Sequence, residues 1–143
     1  MNSKPIYISQ TDQRLIRQRL PYFIESKRSR ESALLLQAEL DRAISVADET
    51  LSPDIVALGS HVELHDLESG ERDHYTLTLP ENADPDGHRL SVFSQLGTAL
   101  LGYANRDEFE WKMPSGLRRF RIAAVSRQSA PTLPALNPII ASA

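Results

Sequence analysis

The chain has 143 residues, 41% of them apolar and 24% charged, with a formal charge of −3, enough for one ordinary domain plus a modest appendage and too little for two full cores. It contains no cysteine, which excludes disulfides, thiolate catalysis and cysteine zinc sites. No apolar run approaches the roughly 18 residues a membrane span needs, and Met1-Asn2-Ser3-Lys4-Pro5 lacks a signal-peptide core, so the expectation is a cytoplasmic protein with no membrane partner.

Pro5-Ile6-Tyr7-Ile8 is β-prone. Ser9, Thr11 or Asp12 can then cap a helix, because their oxygens accept the orphan amide protons of a first turn. That helix runs through Leu15, Ile16 and Leu20. Pro21 is expected to end or kink it, since proline lacks an amide proton and its ring crowds the preceding turn. Phe23 and Ile24 would keep the Ile16/Leu20 face if the helix resumed, and the turn of a hairpin is expected over Glu25–Arg30. A second helix, capped by Ser29 or Ser32, carries Leu36, Leu40, Ala43, Ile44 and Ala47 at three- and four-residue spacing, widened by Leu34 and Leu35. At about 18 residues it would be about 27 Å long. The two apolar stripes predict a short antiparallel helical hairpin, a coiled coil, over residues 1–50. Gln10–Arg30 holds six basic and two acidic residues. Such a tip would be steered toward an acidic surface or a nucleic acid, although a solvated helix face has the same composition.

After the polar hinge Asp48 to Asp54 the period changes. Ile55-Val56 and Val62-Glu63-Leu64 read as strands, followed by a turn at Gly70 and the alternating strand His74 to Leu79. Pro80–Gly87 is a loop, and Leu90–Phe93 a strand. Ser94 opens a short helix through Leu96, Ala99, Leu100 and Leu101, closed by Gly102. Phe109–Met113 alternates again, Pro114-Ser115-Gly116 turns, and Leu117–Val125 is the last strand, with Arg119 and Arg121 on its solvent face. The α+β chain thus ends in an antiparallel sheet with one helix over residues 51–127. An unordered tail is expected at 128–143, from the prolines at 131, 134 and 138.

The residues offer little catalytic chemistry. His61 and His65 on a strand span about 13 Å, too far for two ligands on one ion. His74 and His88 add no ligand spacing. Glu63, Asp66, Glu68, Glu71 and Asp73 surround the Gly70 turn, where solvating a hairpin explains them better than acid–base work does. Nucleophile elbows, dinucleotide fingerprints and Walker loops are absent from the sequence. A binding module with no catalytic residues, no metal and no cofactor is expected.

The run Leu90-Ser91-Val92-Phe93-Ser94-Gln95-Leu96-Gly97-Thr98-Ala99-Leu100-Leu101-Gly102 resembles the C-terminal signature of the GreA/GreB transcription elongation factor family. Val56, Gly59-Ser60, Val62, Leu64 and Asp66 resemble that family's opening strand, Gly70-Glu71 its first hairpin, and Trp111 with Pro114-Ser115-Gly116 its closing hairpin. The resemblance covers about Pro53 to Val125. Pro5–Ile8 leading into a capped helix, and Ala38-Glu39-Leu40-Asp41-Arg42-Ala43, are similar to the branch called regulators of nucleoside diphosphate kinase (Rnk). Two positions depart from the pattern. Gln95 replaces a common proline, and Asn105-Arg106-Asp107 stands where Val-Gly-Asp is usual, so that turn changes type or accepts a strained backbone.

The resemblance implies an FKBP-like head that docks on bacterial RNA polymerase at the rim of its secondary channel, with the hairpin pointing inward. The docking surface is expected at Ser94, Gln95, Leu96 and Gly97, with Leu100 and Leu101 shared between core and interface, although for the three leucines a purely core role is the favoured reading. Cleavage-stimulating relatives carry acidic residues at the hairpin tip to help hold magnesium. Here Glu25 and Glu31 stand among Lys27, Arg28 and Arg30, in a shorter hairpin. The expectation is a polymerase-binding regulator that competes with Gre factors without stimulating transcript cleavage. Its tip cations, together with Arg14 and Arg17, would touch acidic polymerase surface or nucleic acid. The alternatives are an active cleavage factor and an FKBP-like prolyl isomerase. The second needs an aromatic-lined pocket, for which the aromatic residues look too scattered.

Overall fold

A computed structural model describes residues 5–113 and 116–127. The expected tail, and Pro114 and Ser115 of the closing turn, lie outside the described residues.

Strand β1 (Tyr7–Ser9) leads directly into helix α1 (Gln10–Glu25). Of the three candidate caps Ser9 takes the position, its hydroxyl accepting the Asp12 N–H at 3.1 Å. Thr11 and Asp12 reach outward instead. The Thr11 N–H donates to Asp48 at 3.0 Å, and the Asp12 carboxylate accepts the Leu58 N–H at 3.0 Å. Pro21 does not end the helix, which continues to Glu25. Pro21 and Arg17 are both exposed, so water can satisfy the Arg17 carbonyl that the proline leaves without a donor. Phe23 and Ile24 accordingly pack on the core, as expected.

Helix α2 (Arg30–Arg42) follows after a four-residue turn and packs on α1, with Ala33, Leu36 and Leu40 buried. Leu34 and Leu35 face outward, 46% and 48% exposed, and do not widen the buried stripe. Its 13 residues make about 20 Å, less than the periodicity suggests. The reason is a strand. Ile44 leaves the helix to open β2 (Ile44–Val46), which pairs in parallel with β1, the Ile44 N–H donating to the Ile6 carbonyl at 2.9 Å. Ile6 and Ile8 are buried at 1% and 2% exposure, so the strand that β2 pairs with is anchored in the core.

The rest of the chain builds β3 (Ser60–Asp66), β4 (Arg72–Thr78), β5 (Arg89–Ser91), α3 (Gln95–Leu100), β6 (Glu108–Met113) and β7 (Gly116–Arg127). The sheet order is β5-β4-β3-β7-β6. It is mixed, not purely antiparallel: β4 and β5 run parallel, in the register Leu77↔Leu90. Residues 79–88 cross over between them through two short 3₁₀ turns, where a tight hairpin would have forced antiparallel pairing. Ile55 makes only an isolated bridge to Ala104 and no strand.

Ile16, Leu20, Leu36 and Leu40 from the helices share one apolar cluster with Val62, Leu77, Val92, Leu100 and Ile122. Burial of each such side chain stabilises by about 1.5–3 kcal/mol, so helices and sheet hold each other in place. Among the described residues no helix is long and apolar enough to cross a membrane.

Candidate functional site

The stretch from Ser91 to Gly102 is built by local hydrogen bonds. The Ser94 hydroxyl donates to the Ser91 carbonyl at 2.6 Å and accepts the Gly97 N–H at 3.0 Å, capping α3. Thr98, buried, donates its hydroxyl to the Val92 carbonyl at 2.9 Å. Gly97 sits against that turn: a Cβ there would lie 2.0 Å from the Ser91 carbonyl oxygen. Past the helix, Gly102 has φ +85° and presses on Ile6, 2.8 Å from where a Cβ would be. Both glycines permit backbone approaches that a side chain would block.

This packing settles where the sequence-derived docking residues stand. Leu96, Leu100 and Leu101 are core residues, 7%, 0% and 3% exposed, and Gly97 is buried too. Only Leu96 keeps a sliver of surface. Ser94 is half-buried and committed to the cap, which leaves Gln95 as the exposed member of the set. Gln95 occupies the first helical position, where proline is well tolerated because the N–H has no intrahelical partner. The cap forms without that proline.

The second departure from the family pattern has a backbone consequence. Arg106 adopts φ +78°, a left-handed conformation that glycine takes with less strain. The turn is closed by the Asp107 N–H donating to the Ala104 carbonyl at 3.0 Å and by the Ala104 N–H donating to Asp107 at 2.8 Å. Asn105 buries its Oδ1 there without a hydrogen-bond partner among the described residues.

The hairpin tip joins this region through Phe23, whose ring stacks on Phe93. Lys27 and Arg28 are exposed on the turn. Arg30 is not a free contact: its guanidinium donates to the Ile24 carbonyl at 2.7 Å and the Glu25 carbonyl at 3.3 Å, closing the end of α1. Arg17 pairs with Asp41 at 3.0 Å, and Arg19 pairs with Glu81.

The carboxylates divide by environment. Burial pushes the Asp12 carboxyl up, against the opposing Leu58 amide and Ser9 hydroxyl. Backbone amides of Glu68 and Ser69, with Arg118, hold Asp66 below its ordinary value. Arg72 does the same for Glu63, and Arg121 with Arg119 for Glu108. The acidic residues around Gly70 therefore include two structural ones, Asp66 and Glu63. His61 lies 2.8 Å from the Thr76 hydroxyl, and His88 2.9 Å from the His74 carbonyl. Among the described residues no three His, Asp or Glu side chains are grouped to hold a metal ion.

One feature escaped the sequence. Tyr75, Trp111 and Phe120, far apart in the chain, line a groove of about 330 Å³ above Leu64 and Leu96. Trp111 and Phe120 have ring centroids 6.1 Å apart, and Arg118 and Asp66 pair at 2.8 Å in its wall. The expectation that the aromatics are too scattered to line a pocket is thereby corrected. Alternation in Phe109–Met113 and in β7 was the available signal, since it points Trp111 and Phe120 to definite faces, but only the strand register brings them together.

The profile of the family described as transcription elongation factor, GreA/GreB, C-term, matches residues 51–127. The chain is 39% identical over 85 residues to a transcription elongation factor GreA from Desulfovibrio desulfuricans, covering 59% of this chain and 52% of that protein. It is 37% identical over 82 residues to the regulator of nucleoside diphosphate kinase of Escherichia coli, covering 57% and 60%. The chain thus matches between half and three-fifths of these relatives' lengths. A solved GreA/GreB structure from Nitrosomonas europaea, 34% identical, superposes with a TM-score of 0.73 over 85% of this chain and 98% of its own. The match spans the sheet and α3 and more than half of the chain: this protein belongs to the GreA/GreB family of transcription elongation factors.

Proposed function

We propose that this chain is an RNA polymerase-binding transcription regulator of the Rnk type, acting in the cytoplasm. It docks at the rim of the secondary channel through an FKBP-like head and competes there with Gre factors without stimulating transcript cleavage. The observation that carries the second half of this reading is the hairpin tip. Its exposed residues include Glu25 and Glu31 as isolated carboxylates, interspersed with Lys27 and Arg28, whereas recruiting a hard divalent cation takes converging carboxylate oxygens. Helices of 16 and 13 residues also make an arm of only about 20–24 Å.

On this reading the chain is not an enzyme and needs no cofactor. Gln95 is the member of the α3 set that meets polymerase directly, while Ser94, Gly97 and the three leucines shape the surface from beneath. Lys27 and Arg28 supply the electrostatic contact of the tip, to acidic polymerase surface or to nucleic acid. The test is binding to purified core polymerase, with and without a competing Gre factor, beside a transcript-cleavage assay on stalled complexes. Mutually exclusive binding without cleavage supports the proposal. Cleavage above background would instead make the chain an active Gre-type factor.

A further inference from the structure

Strand β6 ends the five-stranded sheet, and among the described residues no strand pairs with its outer edge. We propose that this edge is a self-association surface. Two copies pair β6 with β6 in antiparallel fashion about a two-fold axis at Trp111, so that Glu110 of each copy stands opposite Lys112 of the other.

The backbone points outward at the residues this pairing needs. The Leu67 N–H donates to the Arg119 carbonyl at 2.9 Å, so Arg119 turns its backbone groups toward the β3 side. Within an antiparallel strand the N–H and C=O of one residue point the same way, and the direction alternates along the chain. Glu110, which stands opposite Arg119, therefore belongs to a non-hydrogen-bonded pair, and its N–H and C=O point away from β7. Two residues on, those of Lys112 do the same. Such an edge is a template for a further strand.

The side chains specify which strand. Glu110 and Lys112 are exposed, and among the described residues neither forms an ion pair. Arg119, the cross-strand neighbour of Glu110, pairs with Glu108 at 3.1 Å instead, and Lys112 stands opposite the uncharged Leu117. Read against itself in antiparallel order, Glu110-Trp111-Lys112 is its own complement. Centred on Trp111, both opposite-charge pairs form, each exchanging its backbone hydrogen bonds. Sliding the register by two residues sets Glu110 against Glu110 one way and Lys112 against Lys112 the other, and like charges directly opposite are destabilising.

Trp111 then meets Trp111 of the second copy in a non-hydrogen-bonded pair, where Cα atoms lie about 4.5 Å apart and side chains come closest. Its ring is half-buried beside Phe120, and aromatic cross-strand pairs stabilise sheets. Association stops at two copies. The two-fold axis uses β6 of both, and the opposite edge, β5, has only three residues.

The experiment follows the full chain by analytical ultracentrifugation over rising concentration, together with the emission of Trp111, its single tryptophan. A monomer–dimer equilibrium is expected, with emission shifting to the blue as the dimer forms. Glu110→Lys and Lys112→Glu should each raise the dimer dissociation constant by about tenfold or more, since each sets like charges opposite one another. The double variant should recover the wild-type constant, and an equimolar mixture of the two single variants should form a heterodimer. A wild-type chain that stays monomeric at every concentration would overturn the proposal. So would a dimer that both single variants leave unchanged, or one that neither the double variant nor the mixture restores. Every readout uses the purified chain alone, so this idea and the proposed function fail separately.

Discussion

The rings of Phe23 and Phe93 stack with centroids 4.1 Å apart and planes 11° from parallel, joining the end of α1 to the turn before α3. Seventy residues separate them in sequence, and the contact ties the end of α1 directly to the Leu90–Gly102 motif. Phe23→Ala should destabilise the protein by about 2–3 kcal/mol, below the full cost of a buried phenylalanine because Phe23 is only partly covered. Urea denaturation checks this, and Phe23→Leu should recover much of the loss.

Two glycines should respond very differently to alanine. Gly97→Ala brings a methyl group into the Ser91 carbonyl, so α3 must shift and the expected loss is about 3 kcal/mol or more. Gly70 has φ +81° but nothing within 4 Å of its missing Cβ, so Gly70→Ala costs about 1–2 kcal/mol from backbone strain alone. Comparable losses in paired denaturation curves would contradict the close approach at Gly97.

Both departures from the family pattern should be improvable. Arg106→Gly relieves the left-handed strain, offset by the greater freedom of glycine when unfolded, for a net gain of about 0.5–1 kcal/mol. Gln95→Pro fits because Ser94 already holds φ −72° and ψ 162°, the conformation a following proline demands. It should add about 0.4–1 kcal/mol by restricting the unfolded chain. Thermal melts of the single variants and of the pair test both, and the two gains should add.

Acid should unfold the protein through its hydrogen-bonded carboxylates. Asp66 lies below its ordinary 3.8 and Glu108 below its ordinary 4.5. A depressed folded pKa means stability that is present above the ordinary value and lost as pH falls through the folded one. Asp66→Asn should lower stability at neutral pH and flatten its dependence on pH below about 4. Asp12 works in the opposite sense. Burial raises its pKa, so its charge costs stability as pH rises through the carboxylate range. Asp12→Asn should remove that cost, and acid titrations followed by circular dichroism separate the two signs.

Reversing the exposed tip cations, Lys27→Glu with Arg28→Glu, should weaken polymerase binding and reduce its dependence on salt. Arg30→Glu should instead lower thermal stability, since Arg30 is engaged with the carbonyls ending α1. A double variant with unchanged affinity and salt slope would remove the tip from the interface.

Features decided within a few residues were readable in advance. Ser94 caps its helix, the first helix starts within the three candidate caps Ser9, Thr11 and Asp12, Gly70 turns a hairpin, and the alternation at Phe109–Met113 makes a strand. Each depends on a local hydrogen bond, dihedral preference or side-chain period that the chain carries with it. The motif from Leu90 to Gly102 likewise announced the family, and its leucines are the core residues their period favoured, with only Gln95 of the motif exposed.

What the sequence could not decide are the outcomes of competition between distant partners. The apolar period of α2 runs on past Arg42 through Ala43, Ile44 and Ala47, but Ile44 pairs with the β1 strand instead, its N–H donating to the Ile6 carbonyl. Pro21 stays helical where it and Arg17 are both exposed, so that water can reach the orphaned carbonyl, while Phe23 and Ile24 pack on the core. The parallel register of β5 on β4, and the meeting of Tyr75, Trp111 and Phe120, follow from strand pairing across the sheet. Local propensity is a sum over neighbours in sequence, whereas burial and pairing are sums over neighbours in space, and at these positions the larger spatial terms prevailed.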